Sequence, residues 1–133
     1  MPLGRRQFLL TAAGIAAVGP SALAHASGAA NTMYGLIGKM TATPGQRDAL
    51  VAILLEGVSG MPGCLSYVVA TDPAEADAIW VTEVWESKER HAASLTLPSV
   101  RAAIAKGRPL IAGFGPSTET VPVGGHGLPA ARG

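Results

Sequence analysis

The stretch AIWVTEVWE, residues 78–86, constrains this chain more than any other. At the two-residue period of a strand, Ile79, Val81, Glu83 and Trp85 fall on one side. Trp80, Thr82, Val84 and Glu86 fall on the other. Both sides carry bulky apolar groups, so the strand is expected to be covered on each face. The elements around it have to supply that cover.

Before it, Met33 to Thr41 reads as a first strand, with Gly35 and Gly38 marking a bulge, a tightly packed neighbour or the close approach of a ligand. Thr43-Pro44-Gly45-Gln46 reads as a helix start, with Thr43 as cap, Pro44 at the first helical position and Gln46 completing a capping box. Leu50, Ile53, Leu54, Val58 and Met61 then recur at helical spacing, and Gly60 and Pro62 close the helix. CLSYVVAT follows as a second strand, with Leu65, Tyr67 and Val69 on one face and Cys64, Ser66, Val68 and Ala70 on the other. DPAEAD, residues 72–77, is a polar turn into the third strand.

After it, Ser87 caps a short helix through about Leu95, with Glu89 in its first turn. Pro98 opens another, SVRAAIAKG, that closes near Gly107. Pro109 and Gly113-Phe114-Gly115 punctuate the path to a last strand, STETVPV, which Pro122 marks as an edge or an end. The order is β-α-β-β-α-β with the second helical segment broken in two. It predicts an α+β fold: an antiparallel sheet with helices on one face, the split β-α-β arrangement. The other face lacks helical cover. Two copies pressing those faces together complete a dimeric α+β barrel, so a homodimer is expected.

The N-terminus belongs to a different regime. Arg5 and Arg6 precede an apolar run from Phe8 to Val18, too short for a hydrocarbon core that needs about 20 residues. Ala22-Leu23-Ala24 and Ala24-His25-Ala26 each suit a signal peptidase. RRQFLL resembles a twin-arginine export signal, which implies a periplasmic or secreted protein, membrane-tethered if the signal stays uncleaved. The expected organisation is a signal over 1–26, a linker over 27–32, one domain over 33–123 and a flexible tail over 124–133. Cleavage after Ala26 leaves 107 residues and turns 10 basic against 9 acidic groups into 8 against 9. With that balance, 5% aromatic residues and no basic run, nucleic-acid binding is not expected, nor is stable membrane insertion once the signal is gone. Cys64 is the single cysteine, so no internal disulfide can form. No Cys/His cluster has metal-ligand spacing, and no GxGxxG or GxSxG motif stands in its required context.

The stretches TPGQRDAL, MPGCLSYVV, DAIWVTEVWESKE and LPSVRAAIAKGRPLIAG together resemble the antibiotic biosynthesis monooxygenase family over about Met33 to Val123. The resemblance implies a ferredoxin-like dimeric barrel and, for some members, oxygenation of anthrones, quinols or related small aromatics by dioxygen without metal, flavin or haem. An electron-rich phenolate or carbanion reduces dioxygen itself, so the protein needs only to deprotonate it, hold it and exclude water. Many relatives carry a histidine nine residues after the strand-three tryptophan. Here that position is Ser94, and the segment reads SLTLPSV, without either family histidine. His91, three residues earlier and nearly one helical turn away, is a substitute. The haem-degrading relatives use an asparagine, a tryptophan and an axial histidine where this chain has Gly38, Ser94 and Ile104, so no haem is implied.

The candidate catalytic residues are Glu83 and His91; the candidate substrate-binding residues are Trp85 and Tyr67. A buried Glu83 has to be paired, with an arginine across the sheet or the dimer, or has to carry a raised pKa that makes it a base. His91 is the one histidine inside the expected fold, either a general base or a solvated residue of the helix start. Trp85 plugs the strand–helix corner, stacks on a planar ligand, or does both. Tyr67 donates a hydrogen bond to a substrate oxygen or sits as a core tyrosine. The expected function is a cofactor-independent monooxygenase; the alternative is a non-catalytic exported barrel that binds a small apolar ligand or a partner.

Overall fold

The structure, a computed structural model, describes residues 32–129. The expected signal at 1–26, the linker up to residue 31 and the end of the tail from residue 130 lie outside the described residues.

Strand β1 (Tyr34–Ala42) leads into helix α1 (Arg47–Gly57), then strands β2 (Cys64–Thr71) and β3 (Ala78–Trp85). Two short helices, α2 (Lys88–Ser94) and α3 (Pro98–Gly107), and a 3-10 turn (Arg108–Leu110) precede β4 (Ile111–Thr120). The strands form one antiparallel sheet in the order β2-β3-β1-β4. This is the ferredoxin-like α+β arrangement, and β3 lies inside the sheet as its sequence demands.

The first helix starts differently from the sequence reading. Gln46 N–H donates to the Thr43 carbonyl at 2.9 Å, and Gly45 has φ +79°. Proline at the second position and a left-handed glycine at the third make a type II turn. Helix α1 therefore begins at Arg47, and Gln46 makes no side-chain capping bond. The capping box loses because Gly45 adopts the positive φ that the turn needs and a helix cannot use. Ser87, by contrast, caps α2 as expected, its Oγ accepting from Arg90 N–H at 3.2 Å.

Two further boundaries move. Strand β4 begins at Ile111, through the Gly113-Phe114-Gly115-Pro116 stretch that reads as punctuation, and ends before Val121. It is an edge strand, and its register against β1 shifts between Gly38 and Met40, the bulge that accommodates Pro116. Strand β2 also shifts register, between Cys64 and Ser66, which brings Cys64 opposite Trp85. Strict alternation puts Cys64 on the face opposite Tyr67; the bulge packs it instead beside Trp85 and Met61.

Of the two β1 glycines, Gly35 records a close approach. A Cβ there would fall 2.0 Å from Thr120 Oγ1, so β4 closes over it. Gly38 has room, with Ser117 Cβ at 3.8 Å, and adjoins the bulge.

The helix-side face of the sheet holds two apolar clusters. Ala42, Leu50, Ile79 and Val81 form one; Tyr34, Met61 and Trp85 form the other. Burying each of Leu50, Ile79 and Trp85 stabilises the fold by about 1.5–3 kcal/mol. Helices α1 and α3 meet closely, because a Cβ on Gly57 would lie 2.5 Å from Ala103 Cβ. On the open face Trp80 and Val84 are half-buried and Thr82 is exposed, as is Val68 at 51%. The expected cover on both sides of β3 is thus met within one chain on the helix side alone. Trp80 is anchored by its indole N–H, which donates to Asp72 at 2.8 Å, and by Lys39 Nζ over its ring, 5.5 Å from the centroid.

Candidate functional site

Strand alternation sets Glu83 and Trp85 on the helix-side face, two residues apart. The indole N–H of Trp85 donates to Glu83 Oε1 at 2.9 Å. The chain then turns sharply: Glu86 N–H donates to the Gly63 carbonyl at 2.8 Å, and Gly63, at φ +82°, lies against the Arg90 side chain. Helix α2 starts from this corner and swings His91 back over the end of the strand. Its Nε2 stands 3.7 Å from Glu83 Oε1, beyond hydrogen-bond length but within ion-pair range when the imidazole is protonated.

Two aromatic rings hold the imidazole. Trp85 meets it edge-on at 5.4 Å between centroids and 74°, and Tyr34 is tilted against it at 5.3 Å and 40°. Tyr34 is fixed in turn, its hydroxyl donating to Glu119 Oε2 at 2.7 Å. Lys88 reaches the same carboxylate at 3.2 Å and lies 5.7 Å from the Tyr34 ring. Burial, then the bond and charge of Glu119, push the Tyr34 phenol up to about 12.

Burial raises the Glu83 pKa above the ordinary carboxylate range, and the Trp85 bond and the His91 charge pull it part of the way back. Tyr67 stands opposite Glu83 in the β2–β3 register, and burial followed by the Glu83 charge raises its phenol as well. Burial likewise raises the Cys64 thiol, whose sulfur points to the Ser66 carbonyl at 3.6 Å, so it is no activated nucleophile.

Glu83, Trp85, His91 and Tyr67 face a cavity of about 740 Å³ between the sheet and the helices α1 and α3. Its walls are mainly apolar, Leu54, Met61 and Val100 among them; Glu83, His91 and Tyr67 converge on it, and Ser94 and Arg108 also line it. A smaller cavity of about 280 Å³ along β1 and β4 shares Tyr67 and Glu83 with it.

The four residues singled out from sequence, Glu83, His91, Trp85 and Tyr67, therefore line one space. Among the described residues no arginine pairs with Glu83 across the sheet. The partners of Glu83 there are Trp85 and His91, because strand position 85 and helix position 91 are the groups the corner brings within reach. Ser94, where many relatives carry histidine, is buried in the cavity wall, its hydroxyl donating to the His91 carbonyl at 2.6 Å. Sequence reasoning missed Tyr34; its place opposite Trp85 in the β1–β3 register is the signal that finds it, and register is not visible before strands are paired.

The model of the family described as antibiotic biosynthesis monooxygenase matches residues 33–106. No curated protein matches the chain. A crystal structure from Chloroflexus aurantiacus J-10-fl, described under antibiotic biosynthesis monooxygenase, is 73% identical and superposes with a TM-score of 0.71, covering 73% of this chain and 99% of that one. Two more distant structures share the fold. A protein of Caulobacter crescentus described in the same way is 20% identical, with a TM-score of 0.60 over 73% of this chain and 93% of its own. PA3566 from Pseudomonas aeruginosa is 19% identical, with a TM-score of 0.63 over 71% and 98%. By the match over its sheet and helices, the chain belongs to the antibiotic biosynthesis monooxygenase family.

Proposed function

We propose that this protein is a cofactor-independent monooxygenase acting on a small electron-rich aromatic, a quinol, naphthol or anthrone. The observation that carries the reading is a largely buried carboxylate, Glu83, held beside His91 in a largely apolar cavity of about 740 Å³. Glu83 in its ionised form removes a proton from the substrate, and its raised pKa makes it a stronger base than an exposed carboxylate. His91 is the more exposed of the pair, 20% against 13% for the side chains, and relays the proton outward. Trp85 and Tyr67 orient the ring. The substrate anion then reduces dioxygen directly: an anthrone methylene gives up two hydrogens, one oxygen atom becomes the new carbonyl, and the other leaves as water.

A second reading, a non-catalytic barrel that holds a small apolar ligand, is favoured by Ser94. Its hydroxyl is spent on the His91 carbonyl at the position where many relatives place a histidine. Oxygen consumption separates the two. Purified full-length protein with a panel of quinols, naphthols and anthrones is expected to consume oxygen above the autoxidation rate. Ligand recovered unchanged, with no excess uptake for any compound, identifies the binding reading instead.

Two features of the context complete the proposal. The open face of the sheet, with half-buried Trp80 and Val84 and exposed Val68, pairs with a second copy. The Arg5-Arg6 leader directs the protein out of the cytoplasm through the twin-arginine route, so oxidation takes place outside it.

A further inference from the structure

We propose that the mouth of the cavity reads an anionic substituent on the ligand, with Arg108 as the contacting residue and Arg101 beside it. The inference rests on the aromatic reading of the site and narrows it to aromatic hydroxy acids. A recess of about 470 Å³ shares Leu95, Ile104 and Arg108 with the main cavity and adds Arg101 and Ala105. Positions 101, 104 and 108 recur at spacings of three and four, and Arg108 keeps helical angles just past the end of α3. The three side chains therefore share one helix face.

Among the described residues, both guanidinium groups are uncommitted. Within that set, Lys39, Lys88, Arg90 and Lys106 each pair with a glutamate, and Arg47 donates to the carbonyls of Asp72 and Glu75. Arg101 and Arg108 pair with no carboxylate there, and no acidic residue lines the recess. A basic residue at a helix C-terminus is favoured by the helix dipole, which accounts for Arg108 without a ligand. It does not account for Arg101, which stands in the opening half of α3, where no acidic residue offsets it in the first turn. The polarity is therefore ordered along one path. Glu83 and His91 lie inside, Leu95 and Ile104 give partly exposed apolar walls, and two cations stand at the rim. A complementary ligand carries a hydroxyl at one end of an aromatic body and a carboxylate or similar anion at the other.

The test is isothermal titration of the full chain under nitrogen with two probes, naphthohydroquinone and a dihydroxynaphthoate. The acid is expected to bind about tenfold tighter, the order of one charge-assisted hydrogen bond, and the preference is expected to shrink as salt rises. Arg108→Ala removes most of the preference, weakening the acid by more than it weakens the neutral probe. Arg108→Lys keeps part of it, and Arg101→Ala gives a smaller loss. Both arginines are exposed, so these variants keep the fold, which circular dichroism verifies. Equal affinity of the wild type for the two probes, or equal weakening of both by Arg108→Ala, overturns the inference and leaves the aromatic reading standing. Binding of neither probe overturns both.

Discussion

Glu83 and His91 come from different elements, a strand and the helix after it, yet Oε1 and Nε2 stand 3.7 Å apart. The corner between them achieves this. The Ser87 cap and the Gly63 carbonyl fix where α2 begins, and one helical turn brings the imidazole back over the carboxylate. Trp85 donates to that same oxygen, so orientation and packing of the site depend on one indole.

Glu83→Gln is expected to lower oxygenation by about a hundredfold to ten-thousandfold, measured as oxygen uptake, while ligand affinity in calorimetry stays within a few-fold. The same variant carries a stability signature. Because the folded pKa of Glu83 lies above its unfolded value, the folded state holds more protons between the two values, and stability falls as pH rises through that window. Above the window the buried charge is destabilising, so Glu83→Gln is expected to melt higher than wild type at neutral pH. The difference vanishes below the ordinary carboxylate range. A variant that melts lower at neutral pH contradicts the burial argument.

Trp85→Phe removes the N–H that holds the Glu83 pKa down while keeping an aromatic ring in the corner. The rising limb of the pH–rate profile is expected to move to higher pH. Urea unfolding is expected to show a loss of about 1–3 kcal/mol, because the indole is 1% exposed and its replacement leaves a void. An unmoved pH profile sinks the claim that the indole tunes the carboxylate.

Gly57→Ala tests the meeting of α1 and α3. Alanine gains up to about 1 kcal/mol of helix propensity, but its methyl would lie 2.5 Å from Ala103 Cβ. Overpacking of this kind costs about 1–3 kcal/mol, so a net loss of stability is expected in denaturant titration. Ala103→Gly in the same chain is expected to recover part of it. Additive losses in the double variant contradict the contact.

Val68→Glu probes the proposed pairing of open sheet faces. Val68 is 51% exposed in the single chain, so a charge there is tolerated by the fold and penalised in a buried interface. Native mass spectrometry is expected to show a dimer for wild type and a shift towards monomer for the variant. A wild-type monomer removes the pairing from the proposal.

Much of the fold is local and could be read in advance. Alternation through Ala78–Trp85, the Ser87 cap and Pro98 at the start of α3 are decided by neighbouring residues, and each stands where the chain announces it. The same alternation put Glu83 and Trp85 on one face, which is half of the site. The misread boundaries are places where a local signal has two outcomes. Thr43-Pro44-Gly45-Gln46 suits a capped helix and a type II turn alike, and the glycine and proline residues of β4 look like breaks until an edge with a bulge accommodates them.

Composition and periodicity determined an antiparallel sheet with helices on one side and an acidic residue on its inner face. Only the tertiary structure decided what that residue meets within the chain: Trp85 and His91, with Tyr34 bracing the imidazole from the next strand. Spacing along a chain specifies which face a side chain takes. The strand register and the angle at which a helix leaves its corner specify which side chains converge, and both are set by packing between segments distant in sequence.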